Sequence, residues 1–81
     1  MMFFTYVLLS KRDNMFYIGR TNNLTERIER HNGGRVPATN HRIPLELVYS
    51  ETYETKSEAA ERERYLKRLK GGNHFHKIIG V

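Results

Sequence analysis

Hydrophobic and polar positions along the chain predict three β-strands. Residues 3–9 are apolar on both faces apart from Thr5, which is typical of a strand buried within a sheet. Residues 15–19 form a second apolar run, and the polar segment SKRDN between the two runs is typical of a hairpin turn. A third strand is predicted over residues 45–53, with two alternating faces. One face carries Leu45, Leu47 and Tyr49, and the other carries Glu46, Val48 and Ser50.

Helical periodicity and capping residues predict three helices. The first begins within the segment TNNLTE, where either asparagine can act as the N-cap, and ends at the first Gly-Gly pair. The second begins after a cap at Thr55 or Ser57 and ends at the second Gly-Gly pair, and a short third helix covers residues 74–79. The order β-β-α-β-α-α predicts a single α+β domain over residues 1–81, with a three-stranded antiparallel sheet flanked by helices.

Composition and charge favour a soluble protein with an anionic partner. The net charge of +5 and the sequence pI near 9.8 favour phosphate-rich ligands, because basic residues that contact phosphates release bound counterions. The chain has no cysteine, which excludes a disulfide framework and a thiolate zinc site. No apolar run reaches the ~20 residues of a membrane span, and the N-terminus has no signal pattern. We therefore expect a cytoplasmic protein that does not insert into a membrane.

A carboxylate lies on the apolar stripe of the second predicted helix. At about 100° per residue, Ala59, Ala60, Leu66 and Leu69 share one arc, and Glu63 falls inside it. A buried carboxylate is costly unless it is paired, protonated or bound to a cation. Two interpretations follow: Glu63 pairs with a lysine or arginine at the boundary of the core, or it binds a metal ion at a functional site.

The first predicted helix has a narrow apolar face with basic residues beside it. Leu24 and Ile28 form that face, and Arg27 and His31 lie one turn apart along its flank. The pair can line a shared groove, or it can form a basic flank that faces solvent.

These segments together resemble the GIY-YIG nuclease domain, and most closely its small stand-alone members. The resemblance rests on FYIG at the end of the hairpin, the basic residue after it, and the segment TNNLTERIERHN. It runs from about Phe3 to Lys70. The first triplet is FTY instead of GIY, so Tyr6 takes the place of its tyrosine, while Tyr17 begins an intact YIG triplet.

The resemblance implies a set of catalytic residues. Tyr6, Tyr17, Arg27, His31 and Glu63 match the catalytic positions of the family, and Glu63 matches the ligand of a single divalent metal ion, Mg²⁺ or Mn²⁺. Arg27 suits the scissile phosphate because its guanidinium is permanently charged and fork-shaped. Tyr17 is the candidate general base and His31 its rival, while Tyr6 positions the attacking water or relays its proton. Outside this context, Tyr6 and Tyr17 would be interpreted as two core tyrosines.

The resemblance also implies the class of substrate. Arg20, Arg35 and Arg42 are expected to hold the nucleic-acid backbone. We expect a metal-dependent endonuclease that hydrolyses phosphodiester bonds in DNA, in repair, recombination or nucleic-acid turnover. Cleavage is expected to be directed by structure or of low sequence specificity, with a protein partner as another source of specificity. The alternatives are a catalytically silent nucleic-acid-binding module and a protein-interaction domain whose positive face binds an acidic partner.

Overall fold

The computed structural model describes residues 1–81 and contains the six elements that the sequence predicts, in the predicted order. They are β1 (Phe3–Ser10), β2 (Phe16–Thr21), α1 (Leu24–Asn32), β3 (Leu45–Tyr53), α2 (Lys56–Leu69) and α3 (Asn73–Ile79). The strands form one antiparallel sheet in the order β2-β1-β3, which confirms the α+β class. Because β1 is the central strand and has helices on both sides, it is apolar on both faces.

The ends of the elements follow local hydrogen bonding. The Asn23 side chain caps α1 by accepting the Glu26 backbone N–H at 3.1 Å. Thr55 caps α2 in a reciprocal capping box with Glu58. The second strand begins and ends later than predicted, because its pairing with β1 continues past the YIG triplet as far as Thr21.

The predicted alternation of β3 is wrong in its second half. The strand has a bulge opposite Val7 and Leu8, so that Tyr49 pairs with Val7 and Leu47 pairs with Leu8. The extra residue, Val48, reverses the facing of the residues that follow. As a result Tyr49 packs against the cluster that contains Val7, on the opposite face from Leu45. Leu47, which precedes the bulge, is exposed.

Helices cover both faces of the sheet. Helix α1 packs Leu24 and Ile28 against Tyr6 and Leu8, while α2 and α3 cover the other face. The second cluster is formed by Val7, Ile18, Leu66, Phe75 and Ile79. None of the helices combines the length and apolarity needed to cross a bilayer. Strand β2 is one of the two edge strands of the sheet.

Candidate active site

Register places the two tyrosines on the same face of the sheet. Tyr6 pairs with Gly19 and Tyr17 pairs with Leu8, so both phenols lie on the side of α1. Their ring centroids are 6.5 Å apart. A Cβ atom at Gly19 would come within 2.6 Å of the Tyr6 hydroxyl oxygen. Glycine is therefore required at this position, because the Tyr6 phenol lies across it toward the edge of β2.

Helix α1 adds Arg27 and His31 to this aromatic pair. The Tyr6 hydroxyl lies 2.9 Å from His31 Nε2, and Arg27 Nε donates to the same hydroxyl at 3.4 Å. The His31 ring also packs edge-on against Tyr17, with centroids 5.1 Å apart. Two strands and one helix thus bring these four residues into one cluster on the α1 face.

His31 is fully buried and lies between two hydroxyl groups. Its Nδ1 is 2.7 Å from Thr39 Oγ1, and Thr39 is also fully buried. Burial, followed by the positive charge of Arg27, lowers the pKa of His31 to about 4. The imidazole is therefore neutral at physiological pH and reaches solvent only through its neighbours.

At neutral pH Arg27 carries a positive charge, and the Tyr6 phenol beside it is uncharged. Burial raises the pKa of Tyr6, so this phenol stays protonated at neutral pH. The hydrogen bond to Tyr6 raises the pKa of Arg27. Arg27 is half-buried and forms no ion pair with a carboxylate. A half-buried cation beside two phenols is suited to an anionic ligand.

Glu63 lies on the other side of β2, on the buried face of α2. Its Oε1 accepts from Arg20 at 2.7 Å and its Oε2 accepts from Lys67 at 2.7 Å. Burial opposes ionisation, but the hydrogen bonds from Lys67 and Arg20 outweigh it and lower the pKa of the Glu63 carboxyl group. Glu63 is thus a charged carboxylate whose two oxygens are both paired.

The chemistry of Glu63 fits a hard divalent cation such as Mg²⁺. That ion keeps several water molecules and is often held by one or two carboxylates. The Glu63 side chain is only 11% exposed, whereas the Arg20 and Lys67 side chains are 42% and 55% exposed. An ion bound at Glu63 would have to displace Arg20 and Lys67 from its oxygens, and both of these side chains are exposed enough to be solvated.

Comparison with known proteins shows the family. The model of the GIY-YIG catalytic domain matches residues 2–76. The chain belongs to the GIY-YIG nuclease family. It is 41% identical over 69 residues to a UPF0213 protein of Bacillus licheniformis, covering 84% of this chain and 71% of that protein. It is 43% identical over 67 residues to the UPF0213 protein YazA of Bacillus subtilis, covering 82% and 67%.

A solved structure of a UPF0213 protein shares the fold. The solution NMR structure of a UPF0213 protein from Bacillus halodurans is 29% identical and has a TM-score of 0.52. The similarity covers 95% of this chain and 94% of that one. These relatives are small proteins of the kind that the sequence resembles.

The three arginines expected to hold the nucleic-acid backbone have different surroundings. Arg20 binds Glu63, and Arg35 is exposed on the loop after α1. Arg42 instead joins the β1–β2 turn: it donates to Asp13 at 2.9 Å, and its carbonyl accepts from Ser10 Oγ at 2.6 Å. Of the three arginines, Arg20 contacts the candidate metal ligand Glu63, and Arg42 is held at the turn.

The sequence analysis does not identify two residues that contact the candidate site, Lys67 and Thr39. Lys67 stands four residues after Glu63, and this helical spacing is a signal that identifies it as a partner. Thr39 lies in an irregular loop eight residues after His31. No periodicity links a loop residue to a helix, so the sequence carries no comparable signal for Thr39.

Proposed function

We propose that this chain is a metal-dependent endonuclease that hydrolyses phosphodiester bonds in DNA. The observation that carries the proposal is the setting of Arg27. It is a half-buried arginine without a carboxylate partner, and it donates to the Tyr6 hydroxyl next to Tyr17. A phosphate placed against Arg27 would complete its hydrogen bonding and would lie beside both phenols.

Proton transfer from the attacking water is assigned to Tyr17. Tyr17 is half-buried and reaches the surface, whereas Tyr6 and His31 are fully buried. The raised pKa of Tyr6 suits a residue that orients the water through its hydrogen bonds rather than one that removes a proton. His31, the rival base, acts on the water only through Tyr6.

The metal ion is assigned to Glu63. Glu63 would hold Mg²⁺ or Mn²⁺, which would supply positive charge near the scissile phosphate. Arg20 and Lys67, which now bind Oε1 and Oε2, would then be available to the phosphates that flank the cut. Arg35 is a further candidate for contact with the backbone.

Substrate choice is expected to depend on structure rather than on base sequence. The basic groups around the site are suited to phosphates, which carry no sequence information. A partner protein is a second source of specificity, and repair or recombination of DNA is the expected setting.

A silent nucleic-acid-binding module is the second candidate. Its specific support is that both oxygens of Glu63 are already bound to cations. In such a protein Glu63 would be a structural ion-pair partner, and Arg27 would still bind phosphate.

Cleavage of labelled single-stranded, duplex and branched DNA with Mg²⁺, Mn²⁺ or EDTA separates the two. We expect metal-dependent nicking that falls by about 100-fold or more in Glu63→Gln, since the neutral amide loses the charge that holds the ion. The matched control is Glu61→Gln, which removes an exposed carboxylate two residues away on α2 and is expected to cleave normally. Tyr17→Phe keeps the ring and tests the base.

The outcomes divide cleanly between the candidates. If wild type and Glu63→Gln bind DNA equally and neither cuts with any metal, the protein is a binding module. If Glu63→Gln cuts as well as wild type, the metal assignment is wrong even though the enzyme is real.

A further inference from the structure

The three surface cavities of the protein differ in the charge of their walls. Two of them are lined partly by carboxylates, Glu58 and Glu61 in one and Glu54 and Glu58 in the other. The third has a volume of about 240 Å³ and no carboxylate in its wall. Its lining residues are Phe3, Arg20, Thr21, Asn22, Lys56 and Ala59. In the first cavity three arginines share the wall with the two carboxylates, whereas Arg20 and Lys56 in the third face no carboxylate of the wall. This third cavity, which we call the Lys56 cleft, is therefore suited to an anion.

The Lys56 cleft adjoins the candidate active site through Arg20. Arg20 lines the cleft and also donates to Glu63 at 2.7 Å. Lys56 is the first residue of α2, seven positions before Glu63, so the two lie on the same face about 10 Å apart along the axis. A ligand in the cleft would thus be a direct neighbour of a phosphate bound beside Glu63.

The wall of the cleft offers the groups that recognise one nucleotide. Lys56 is exposed and forms no ion pair, so its ammonium is available to a phosphate. Phe3 is half-buried and presents an aromatic ring, on which any base can stack. The amide of Asn22 adds a hydrogen-bonding group that can reach a base edge. Together these are the two features of single-strand binding sites, a basic groove and an aromatic platform.

We propose that the Lys56 cleft binds the nucleotide next to the scissile phosphate, with its base unstacked and placed against Phe3. A base inside an intact duplex is stacked and paired and cannot enter such a cleft. The cleft therefore selects single-stranded or branched nucleic acid with an unpaired nucleotide at the cut. This inference rests on the proposed nuclease function and names its substrate class.

Binding in EDTA tests the cleft without requiring cleavage. Fluorescence anisotropy would measure the affinity of wild type, Lys56→Ala and Phe3→Leu for a single-stranded oligonucleotide and its duplex, over a series of salt concentrations. Lys56→Ala is expected to weaken single-strand binding several-fold and to reduce the slope of log affinity against log salt by about 0.7. Lys77→Ala, on α3 outside the cleft, makes the same change in net charge and is expected to weaken binding less than about two-fold.

Phe3→Leu tests the stacking platform and keeps an apolar side chain in place. It is expected to weaken single-strand binding and to leave duplex binding unchanged. As a measurement on wild type, a single strand containing 5-iodouracil should photocrosslink to the peptide that contains Phe3. The proposal is overturned if Lys56→Ala and Lys77→Ala weaken binding equally, or if Phe3→Leu affects both substrates alike and the crosslink maps elsewhere.

Failure of the cleft and failure of the nuclease proposal have different signatures. A protein that cuts DNA with Glu63 dependence but shows no specific effect at Lys56 or Phe3 overturns the cleft alone. If the protein shows these binding effects but never cuts, the cleft is still a nucleotide-binding site. The nuclease proposal is then overturned, and so is the claim that the bound nucleotide lies next to a scissile phosphate.

Discussion

The Tyr6 hydroxyl stands in the middle of a chain of hydrogen bonds from Arg27 to Thr39. Arg27 can only donate, so the Tyr6 oxygen accepts from it at 3.4 Å. Tyr6 is fully buried, and His31 Nε2 at 2.9 Å is the one acceptor for its hydrogen. The neutral His31 ring then carries its own hydrogen on Nδ1 and donates it to Thr39 Oγ1. Thr39 thereby fixes the tautomer of His31 and, through it, the orientation of the Tyr6 hydroxyl.

Replacement of Thr39 tests this positioning role. Thr39→Val keeps the shape but removes the acceptor, leaving a buried N–H unsatisfied, and is expected to destabilise the fold by about 1–3 kcal/mol. It should also slow DNA cleavage by about 10-fold. Thr39→Ser, the matched control, retains the hydroxyl and should restore both. Imidazole ¹⁵N chemical shifts would report the tautomer directly, and an Nε2–H tautomer in wild type would contradict the assignment.

Some of these residues can be predicted from the sequence because they stand out from a regular pattern of apolar and polar positions. Glu63 stands out within an apolar helical stripe, and Tyr6 and Tyr17 occupy strands joined by a recognisable turn. For His31 the sequence allows two placements, a groove or a solvated flank, and the structure shows it fully buried with its Nδ1 against Thr39 Oγ1. That burial depends on how a helix and a loop meet in space, and no local pattern encodes it.

Among the elements, α2 is tied to all three strands. Its Ala59 carbonyl accepts from Thr5 of β1 at 2.7 Å, and Glu63 binds Arg20 of β2. The adjacent Arg62 turns the other way and donates to both carboxylate oxygens of Glu51 on β3, at 2.8 and 3.1 Å. Neighbouring residues of one helix thus bind opposite edges of the sheet, which fixes the position of the candidate metal ligand.

Glu51 is the residue of β3 that binds α2. It also accepts hydrogen bonds from the hydroxyl groups of Tyr49 and Tyr53, and its side chain is only 16% exposed. Glu51→Gln is expected to lower the free energy of unfolding by about 2–4 kcal/mol, because it leaves Arg62 without a counter-charge. Glu46→Gln on the same strand breaks an exposed pair with Lys11 and should cost less than about 1 kcal/mol. Urea denaturation measures both, and equal effects would show that the Glu51 cluster adds no stability.

The sequence predicts these elements better than the contacts between them. Strong apolar runs, turn residues and caps locate β3 and both long helices closely. The bulge at Val48 was missed because it arises from pairing with β1, and a single strand carries no record of its partner's register. The sequence gives no sign of the Glu51–Arg62 contact either, since it joins two residues eleven positions apart on different elements.

In the whole molecule, the edge of β2 separates two chemical environments. On the α1 side lie the phenols, the neutral His31 and the unpaired Arg27. On the α2 side lie Glu63, its two cations and the Lys56 cleft. A nucleic-acid strand that passes this edge can contact both sides at once. A chain with a net charge of +5 can in this way concentrate its phosphate contacts at one place.

The stability of the whole fold is expected to depend on pH through His31. Its pKa is about 4 in the folded protein and near 6.5 in the unfolded chain. Between these two pH values His31 is protonated in the unfolded chain and neutral in the folded protein. The free energy of unfolding therefore falls as the pH is lowered from 6.5 toward 4. The carboxyl groups of Glu51 and Glu63 have lowered pKa values, so their contribution is lost only below about pH 4.5. The range from pH 7 to pH 5 therefore isolates the histidine.

Within that range we expect wild type to lose about 2 kcal/mol of unfolding free energy from His31. His31→Gln should be less stable than wild type at pH 7 but should lack this loss, because the amide does not titrate. His41→Gln, which replaces an exposed histidine in the loop before β3, should keep the full pH dependence of wild type. Urea denaturation curves at pH 7, 6 and 5 measure the three slopes. Parallel slopes in wild type and His31→Gln would mean that the pKa of His31 is the same in the folded and unfolded states, which would contradict the lowered pKa of the buried imidazole.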